Sequence, residues 1–414
     1  MAVDAAVSAA VDDAHRREWA FVLAATVRIT ADIDEAEECV QHAYATALTS
    51  WSHSGIPDRP GAWLTTVARR RAIDLGRRRQ ALHRSLPLLV ERWSDTEPSV
   101  QGHEGVRDDR LRLIFTCCHP ALSRPAQVAL TLRLVCGLTT AEVARGFLVS
   151  ESTMAARITR AKKKIAQAHI AYRTPPVSER MARVDAVLGV VHLVFTTGHT
   201  APSGSDLVRS DLIERASDLA RMLRQLLPDD PQVAGLLALF VLTDIRRSTR
   251  STEDGTLVLL EDQDRSQWDR DAIAEGVALV HEALGPRPPG RFALMAAIAA
   301  VHAEAPTFKE TDWAQIVSLY DLLLVSWPSP VVALNRAVAV GLADGPAAGL
   351  EALGPLAEEP RLACYPYLAA ARADFLRRLG RTAEARLFYD EALMLTENGA
   401  EREFLAGRLR QLDR

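Results

Sequence analysis

Apolar residues recur at three- and four-residue spacing along almost the whole chain, and alternating runs of Val, Ile and Thr are nearly absent. A chain patterned this way closes its cores by packing helical stripes, so the predicted fold is all-α. At 414 residues the chain is too long for one small core, and two or three domains are expected. An apolar share of 48% excludes wholesale disorder.

Breaks in the helical pattern mark the domains. Residues 14–80 read as a helical block ending in arginines. The stretch 81–108, with Pro87, Pro98, Gly102 and Gly105 among Ser, Asp and Glu, reads as a linker. A second helical block covers 109–170, and Thr174-Pro175-Pro176 then interrupts, because proline lacks an amide proton and restricts its predecessor. From 177 to 414 run long Ala/Leu-rich segments punctuated by Pro228, Pro231, Pro328, Pro330 and Pro360. Near the end, Ala373, Gly380, Ala385, Tyr389 and Ala392 fall where a tetratricopeptide repeat places its small and aromatic packing residues. The stretch 331–353 resembles a degenerate second copy, with an irregular helical bundle as the alternative.

The formal net charge of −4 does not by itself suggest nucleic acid, but the distribution does. Of four lysines, three are consecutive, Lys162, Lys163 and Lys164; a second basic cluster comprises Arg69, Arg70, Arg71, Arg77, Arg78 and Arg79. One part of the molecule can meet phosphates while the whole stays near neutral. Met1 to Asp13 lacks the basic start and apolar run of a signal peptide. Stretches such as Val233 to Leu242 fall short of the roughly 20 apolar residues of a membrane span. Five cysteines without scaffold spacing fit a reducing compartment, so the expectation is a cytoplasmic protein with no membrane contact.

The most informative segment is Gly137 to Ile165. Thr139 can cap a first helix, with Glu142 completing a capping box. Val143 and Ala144 face inward, and the small Ala144 permits a close helix crossing. Gly146, Phe147, Leu148 and Val149 supply a turn with a buried plug, and Ser150 caps a second helix with Glu151 at the positive end of its dipole. That is a helix-turn-helix, whose second helix places its N-terminal side chains in the major groove. Ser152, Thr153, Ala156 and Arg157 are candidates for base or phosphate contact; Arg160, Lys162, Lys163 and Lys164 are placed for phosphates. The bland alternative is a surface hairpin with a solvated basic face.

Two N-terminal motifs carry a family resemblance. Ala36-Glu-Glu-Cys-Val-Gln-His-Ala-Tyr-Ala-Thr-Ala-Leu48 resembles the polymerase-binding helix of extracytoplasmic-function (ECF) sigma factors of the sigma-70 family, and Trp63 to Arg79 resembles their promoter-melting helix. Leu122 to Ile165 resembles their second DNA-binding domain, so the likeness covers roughly the first 170 residues. It implies core RNA polymerase, through its β′ clamp helices and β subunit, and promoter DNA as partners, with no cofactor and no enzymatic activity. Glu38 and Gln41, with Glu37 beside them, match clamp-binding positions. The loop from Ser52 to Gly61 matches the segment capturing a flipped base of the −10 element, an event that costs a few kcal/mol of unstacking. Trp63 is a candidate base-stacking residue, although packing in the core is the stronger expectation. Arg69, Arg70, Arg77 and Arg78 are candidates for phosphates at the melting boundary, with Arg70 standing where the family often has asparagine. Asp74 is expected to pair with a nearby arginine. The helix-turn-helix is expected to read the −35 element.

The long extension resembles that of the sigma-factor group with a tetratricopeptide-like C-terminal domain. Asp262, Asp264, Arg265, Trp268, Asp269 and Arg270 are expected to form an ion-pair network or a binding surface; a metal site is disfavoured because the run lacks the glycine turn and terminal glutamate of a calcium loop. Cys117-Cys118-His119 reads as buried thiols rather than zinc ligands, since adjacent helical cysteines point apart. His192 and His199 suggest a turn after a buried helix. No triad order, phosphate-binding glycine loop or zinc-hydrolase motif occurs. The expected extension is a regulator acting in cis, through intramolecular contact with the sigma domains. The competing readings are a helix-turn-helix regulator with a helical sensory domain that never joins polymerase, and a helical scaffold with a decayed sigma-like half.

Overall fold

The computed structural model describes residues 5–85 and 105–412, apart from Leu148, His169, Pro202, Ser205, Asp206, Glu253, Asp254, Pro286 and Arg287. The chain is all-α and divides into two compact units, residues 1–190 and 191–414.

The first unit opens with a three-helix bundle: α1 (Ala5–Thr30), α2 (Ile33–Ser54) and α3 (Pro60–Ser85). Asp32 starts α2 by accepting from the Glu35 amide at 2.9 Å, and Gly55, at φ 82°, ends it. Most of the expected linker, residues 86–104, lies outside the described residues; α3 continues to Ser85, just short of Pro87, which disfavours helix in the residue before it. There follow α4 (Gly105–Cys117), α5 (Arg124–Leu130), a π-helical turn (Thr131–Val135), α6 (Thr140–Gly146) and α7 (Glu151–Gln167). The bundle and this second module pack through α1, which meets α4 and the π turn. The Trp19 indole donates to the Leu134 carbonyl at 3.0 Å, and the Tyr172 hydroxyl lies 3.0 Å from the Ala24 carbonyl and 2.9 Å from that of Asp109.

α8 (Val177–His199) contains the boundary between the units. Its first half docks on the second module: Arg183 donates to the Phe115 carbonyl at 2.6 Å, and Arg124 to that of Ala186 at 3.0 Å. Met181–His199 is long and apolar enough to cross a membrane, which counting uninterrupted apolar runs passed over. Val187, Leu188, Val190, Val191, Val194 and Phe195 are buried in the protein, so much of that apolarity is used in packing. His192 and His199 both lie on this helix, and the turn follows it.

The second unit packs α9 (Ser210–Leu226), α10 (Pro231–Asp244), α11 (Arg270–Leu284) and α12 (Arg291–Glu304) around α10, which is buried from Val233 to Phe240. Then come α13 (Trp313–Ser326), α14 (Pro330–Ala343), α15 (Pro346–Leu353), α16 (Pro366–Arg378), α17 (Thr382–Leu395) and α18 (Gly399–Leu412), each packed on the next. Nearest-neighbour packing of this kind is the tetratricopeptide-like arrangement. Ala373, Ala385, Tyr389 and Ala392 share one buried cluster. Gly380 takes φ 74° and closes α16 with a Schellman pair: its amide bonds the Arg377 carbonyl at 3.0 Å and that of Arg381 bonds Leu376 at 2.9 Å. Ser203–Gly204 pairs in parallel with Glu397–Asn398, joining the loop after α8 to the segment between α17 and α18.

The charged run in this unit forms no ion-pair network among the described residues. Asp264 caps the short turn at Arg265, and Asp269 caps α11. Arg265 is buried and donates to the carbonyls of His302 and Ala305 at 2.9 and 2.8 Å, while the Trp268 indole donates to the Thr249 hydroxyl at 3.0 Å. Asp264 and Asp269 sit where helix-start amides need an acceptor, so capping takes these two carboxylates and backbone takes the arginine. Among the described residues no group of three or more His, Cys, Asp or Glu is arranged to hold a metal.

Candidate nucleic-acid and polymerase interface

α6 and α7 form the helix-turn-helix. The Glu142 carboxylate accepts from the Thr139 amide at 2.7 Å, and the Thr139 hydroxyl accepts from the Glu142 amide at 3.2 Å, a complete capping box. Val143 and Ala144 are buried beneath the crossing. The plug is shallower than expected: Phe147 and Val149 are half-buried, and Leu148 lies outside the described residues. Ser150 caps α7 by accepting from the Thr153 amide at 3.2 Å. Met154, Ile158, Ala161 and Ile165 bury the inner stripe. The spacing leaves Ser152, Thr153, Ala156, Arg160, Lys163 and Lys164 exposed and Arg157 half-buried.

On α2, Ala36, Cys39, Val40, Ala43, Tyr44 and Ala47 are buried and Leu48 is half-buried, presenting Glu38 and Gln41 to solvent. Glu38 lies 3.9 Å from Arg71. Glu37 faces the other way and is only 5% exposed. Its carboxylate lies 2.8 Å from an Arg133 Nη in an ion pair and accepts from Lys162 Nζ, which also bonds Asp34 at 2.6 Å. Burial alone lowers the Lys162 pKa; the Glu37 and Asp34 carboxylates outweigh that and hold it above the ordinary lysine value. The Arg133 guanidinium also stands over the Trp19 ring, 5.6 Å from its centroid. A cleft of about 290 Å³ is lined by Asp34, Glu37, Glu38, Gln41, Arg133 and Lys162. Two residues singled out for different partners, Glu37 and Lys162, are thus engaged with each other.

The α3 arginines are more open. Arg70, Arg77 and Arg78 are exposed and Arg69 is half-buried, while Arg79 clasps Glu35 at 2.6 and 2.7 Å. Trp63 is half-buried, its ring edge-on to the buried Trp51 at 5.6 Å. Ser52–Ser54 belong to α2, and the exposed stretch before α3 begins at Gly55. Asp74 does not fulfil its expected pairing: it is exposed and has no arginine partner among the described residues. Cys117 and Cys118 are buried; burial pushes the Cys118 thiol up to about 11 and raises Cys117 as well.

Arg133 and Asp34 were not legible as site residues. The only linear signal is a lone arginine within the apolar run Leu130-Thr-Leu-Arg-Leu-Val135.

Residues 15–82 match the family model Sigma-70 region 2, and residues 112–165 match Sigma-70, region 4. The chain belongs to the sigma-70 family. This sigma factor carries a C-terminal extension, of which residues 183–284, counted from within α8, match a family of unknown function (DUF6596). It is 42% identical over 396 residues to an uncharacterized protein of Rhizobium meliloti (strain 1021), covering 94% of this chain and 93% of that relative. No solved structure matches it. As a sigma factor it binds core RNA polymerase and promoter DNA and acts in transcription initiation.

Proposed function

We propose that the chain is an ECF-type sigma factor whose first unit, as folded here, is a resting form. Glu38 and Gln41 on α2 are the contacts for the polymerase β′ clamp helices, and Glu37 joins them only after leaving Arg133 and Lys162. Arg69, Arg70, Arg77 and Arg78 hold phosphates beside the melted −10 element, with Trp63 at its edge. Ser152, Thr153 and Arg157 read −35, and Arg160, Lys162 and Lys163 fix phosphates. The observation that carries the resting-form reading is the pair of the buried Glu37 with the half-buried Lys162, which joins the polymerase-facing helix to the DNA-facing one.

The domains of the proposal follow the sequence expectation: 14–80 for polymerase and −10, 109–170 for −35, and 177–414 as a modulator acting in cis. Attachment of α8 to the −35 module through Arg183 and Arg124 supports that modulation, because the extension's first helix is a structural part of the module it would control. Run-off transcription with core polymerase tests this reading, comparing the full chain with truncations after Arg173 and after Val190. The first removes the α8 docking and the second keeps it. Equal promoter output from all three chains would remove the extension from the mechanism.

A further inference from the structure

The second unit contains a solvent-open cavity of about 1240 Å³, larger than the 300–1,000 Å³ typical of small-molecule sites. Its walls are chiefly apolar and aromatic, with Phe195, Phe308, Trp313 and Tyr320 among them. The charged lining is unevenly partnered. Asp374 is bound by Arg377 and Arg378, each at 2.6 Å, and Glu261 lies 3.7 Å from Arg378. Glu401 accepts from the Tyr367 hydroxyl at 2.6 Å.

Arg250 has no such partner. Its guanidinium is held by neutral acceptors alone, the His199 carbonyl and Nδ1 and the Thr200 hydroxyl, with no carboxylate within ion-pair distance among the described residues. The Nδ1 contact fixes His199 as the neutral tautomer, since that nitrogen must accept, and burial beside Arg250 and Arg246 pushes its pKa far down, to about 2. Four positions before Arg250 lies Arg246, behind the cavity lining; burial and the charges of Arg250 and Arg265 lower its pKa to about 10. The Arg250 charge is therefore fixed by hydrogen bonds to neutral groups, and the nearest opposite charge, the Glu401 carboxylate held by Tyr367, acts on it from beyond ion-pair distance, so this buried cation has no direct partner among the described residues.

We propose that this cavity binds a small organic acid, its apolar body along Phe195, Trp313 and Tyr320 and its anionic group at Arg250. This goes beyond the sigma-factor reading and does not depend on it. An anion of this kind supplies the direct ion-pair partner that the more distant Glu401 does not, and the aromatic walls supply the area that an apolar body covers.

The test uses the full chain and the fluorescent probe 8-anilinonaphthalene-1-sulfonate, beside its uncharged counterpart N-phenyl-1-naphthylamine. Expected is saturable binding of one sulfonate probe per chain, displaced by decanoate and not by 1-decanol at equal concentration. Arg250→Met should weaken the sulfonate probe roughly tenfold, the scale of one charge-assisted contact, and the uncharged probe less than twofold. Val338→Trp, which fills the cavity, should abolish both. Because the displacement arm uses unaltered protein, it stands even if Arg250→Met unfolds. Equal displacement by decanol, equal losses for both probes, unchanged binding by Val338→Trp, or no saturable binding would each overturn the proposal.

Discussion

Arg133→Gln is the sharpest perturbation of the Glu37 cluster, because Arg133 is not itself a proposed polymerase or DNA contact. Glu37, Arg133 and Lys162 have side chains 6%, 16% and 14% exposed, so the cluster is dry enough that removing a partner is felt. Stripping one partner from a buried pair costs about 3–5 kcal/mol. Here Glu37 keeps Lys162, which places the loss lower, at about 2 kcal/mol, and part of it reflects the lost packing of the guanidinium on Trp19. If that energy holds the two modules of the first unit together, an open form gains roughly 30-fold in population. Hydrogen exchange followed by mass spectrometry should then show faster labelling along α2 and α7, where those helices carry the pair. The apparent affinity for core polymerase should rise by up to the same factor, since the unavailable fraction taxes binding. Measuring both at low and high salt separates this cluster from exposed pairs such as Arg17–Asp13, which screening weakens more. Unchanged exchange in α2 and α7 together with unchanged affinity would refute the resting-form argument.

The remaining predictions are simpler. Glu38→Ala with Gln41→Ala should weaken core-polymerase binding in a pull-down while leaving the thermal midpoint of unfolding unmoved, since both side chains are exposed. Arg157→Ala should lower promoter-specific run-off without loss of polymerase association. Iodoacetamide at pH 8 should label exposed Cys364 long before Cys39 or Cys118; burial raises both buried thiols to about 11, so they stay protonated below that pH and shielded as well. Ser150→Ala should destabilise the helix-turn-helix by about 1 kcal/mol, read by denaturant melting, because it removes the acceptor for the Thr153 amide.

What the sequence revealed, and what it hid, divides along the range of the interactions. Caps are local, so Thr139 with Glu142, and Ser150, could be read directly and appear as read. The tetratricopeptide-like residues were legible for the same reason, since Gly380 and its neighbours act within one helical hairpin. The Asp264 to Arg270 run was misread because charge density alone does not show whether a carboxylate faces solvent or a helix start, and here the amides of Ser266 and Asp271 decide it. Glu37 failed to be legible for a different reason. Its partners Arg133 and Lys162 lie 96 and 125 positions away, and they reach it from opposite sides of the helix-turn-helix start. The spacing of α2 sets Glu37 on the stripe of Val40 and Tyr44 and Glu38 on that of Gln41 and His42, but it does not name the distant cations; a single step of about 100° around the helix places one in a salt-bridged interior and the other in solvent. That step also separates the two residues in the proposed function. A carboxylate at Glu38 is available to a partner at once, whereas one at Glu37 can reach a partner only after its two cations let go. On the proposed resting-form reading, the same helix carries both a contact for polymerase and the latch that delays it.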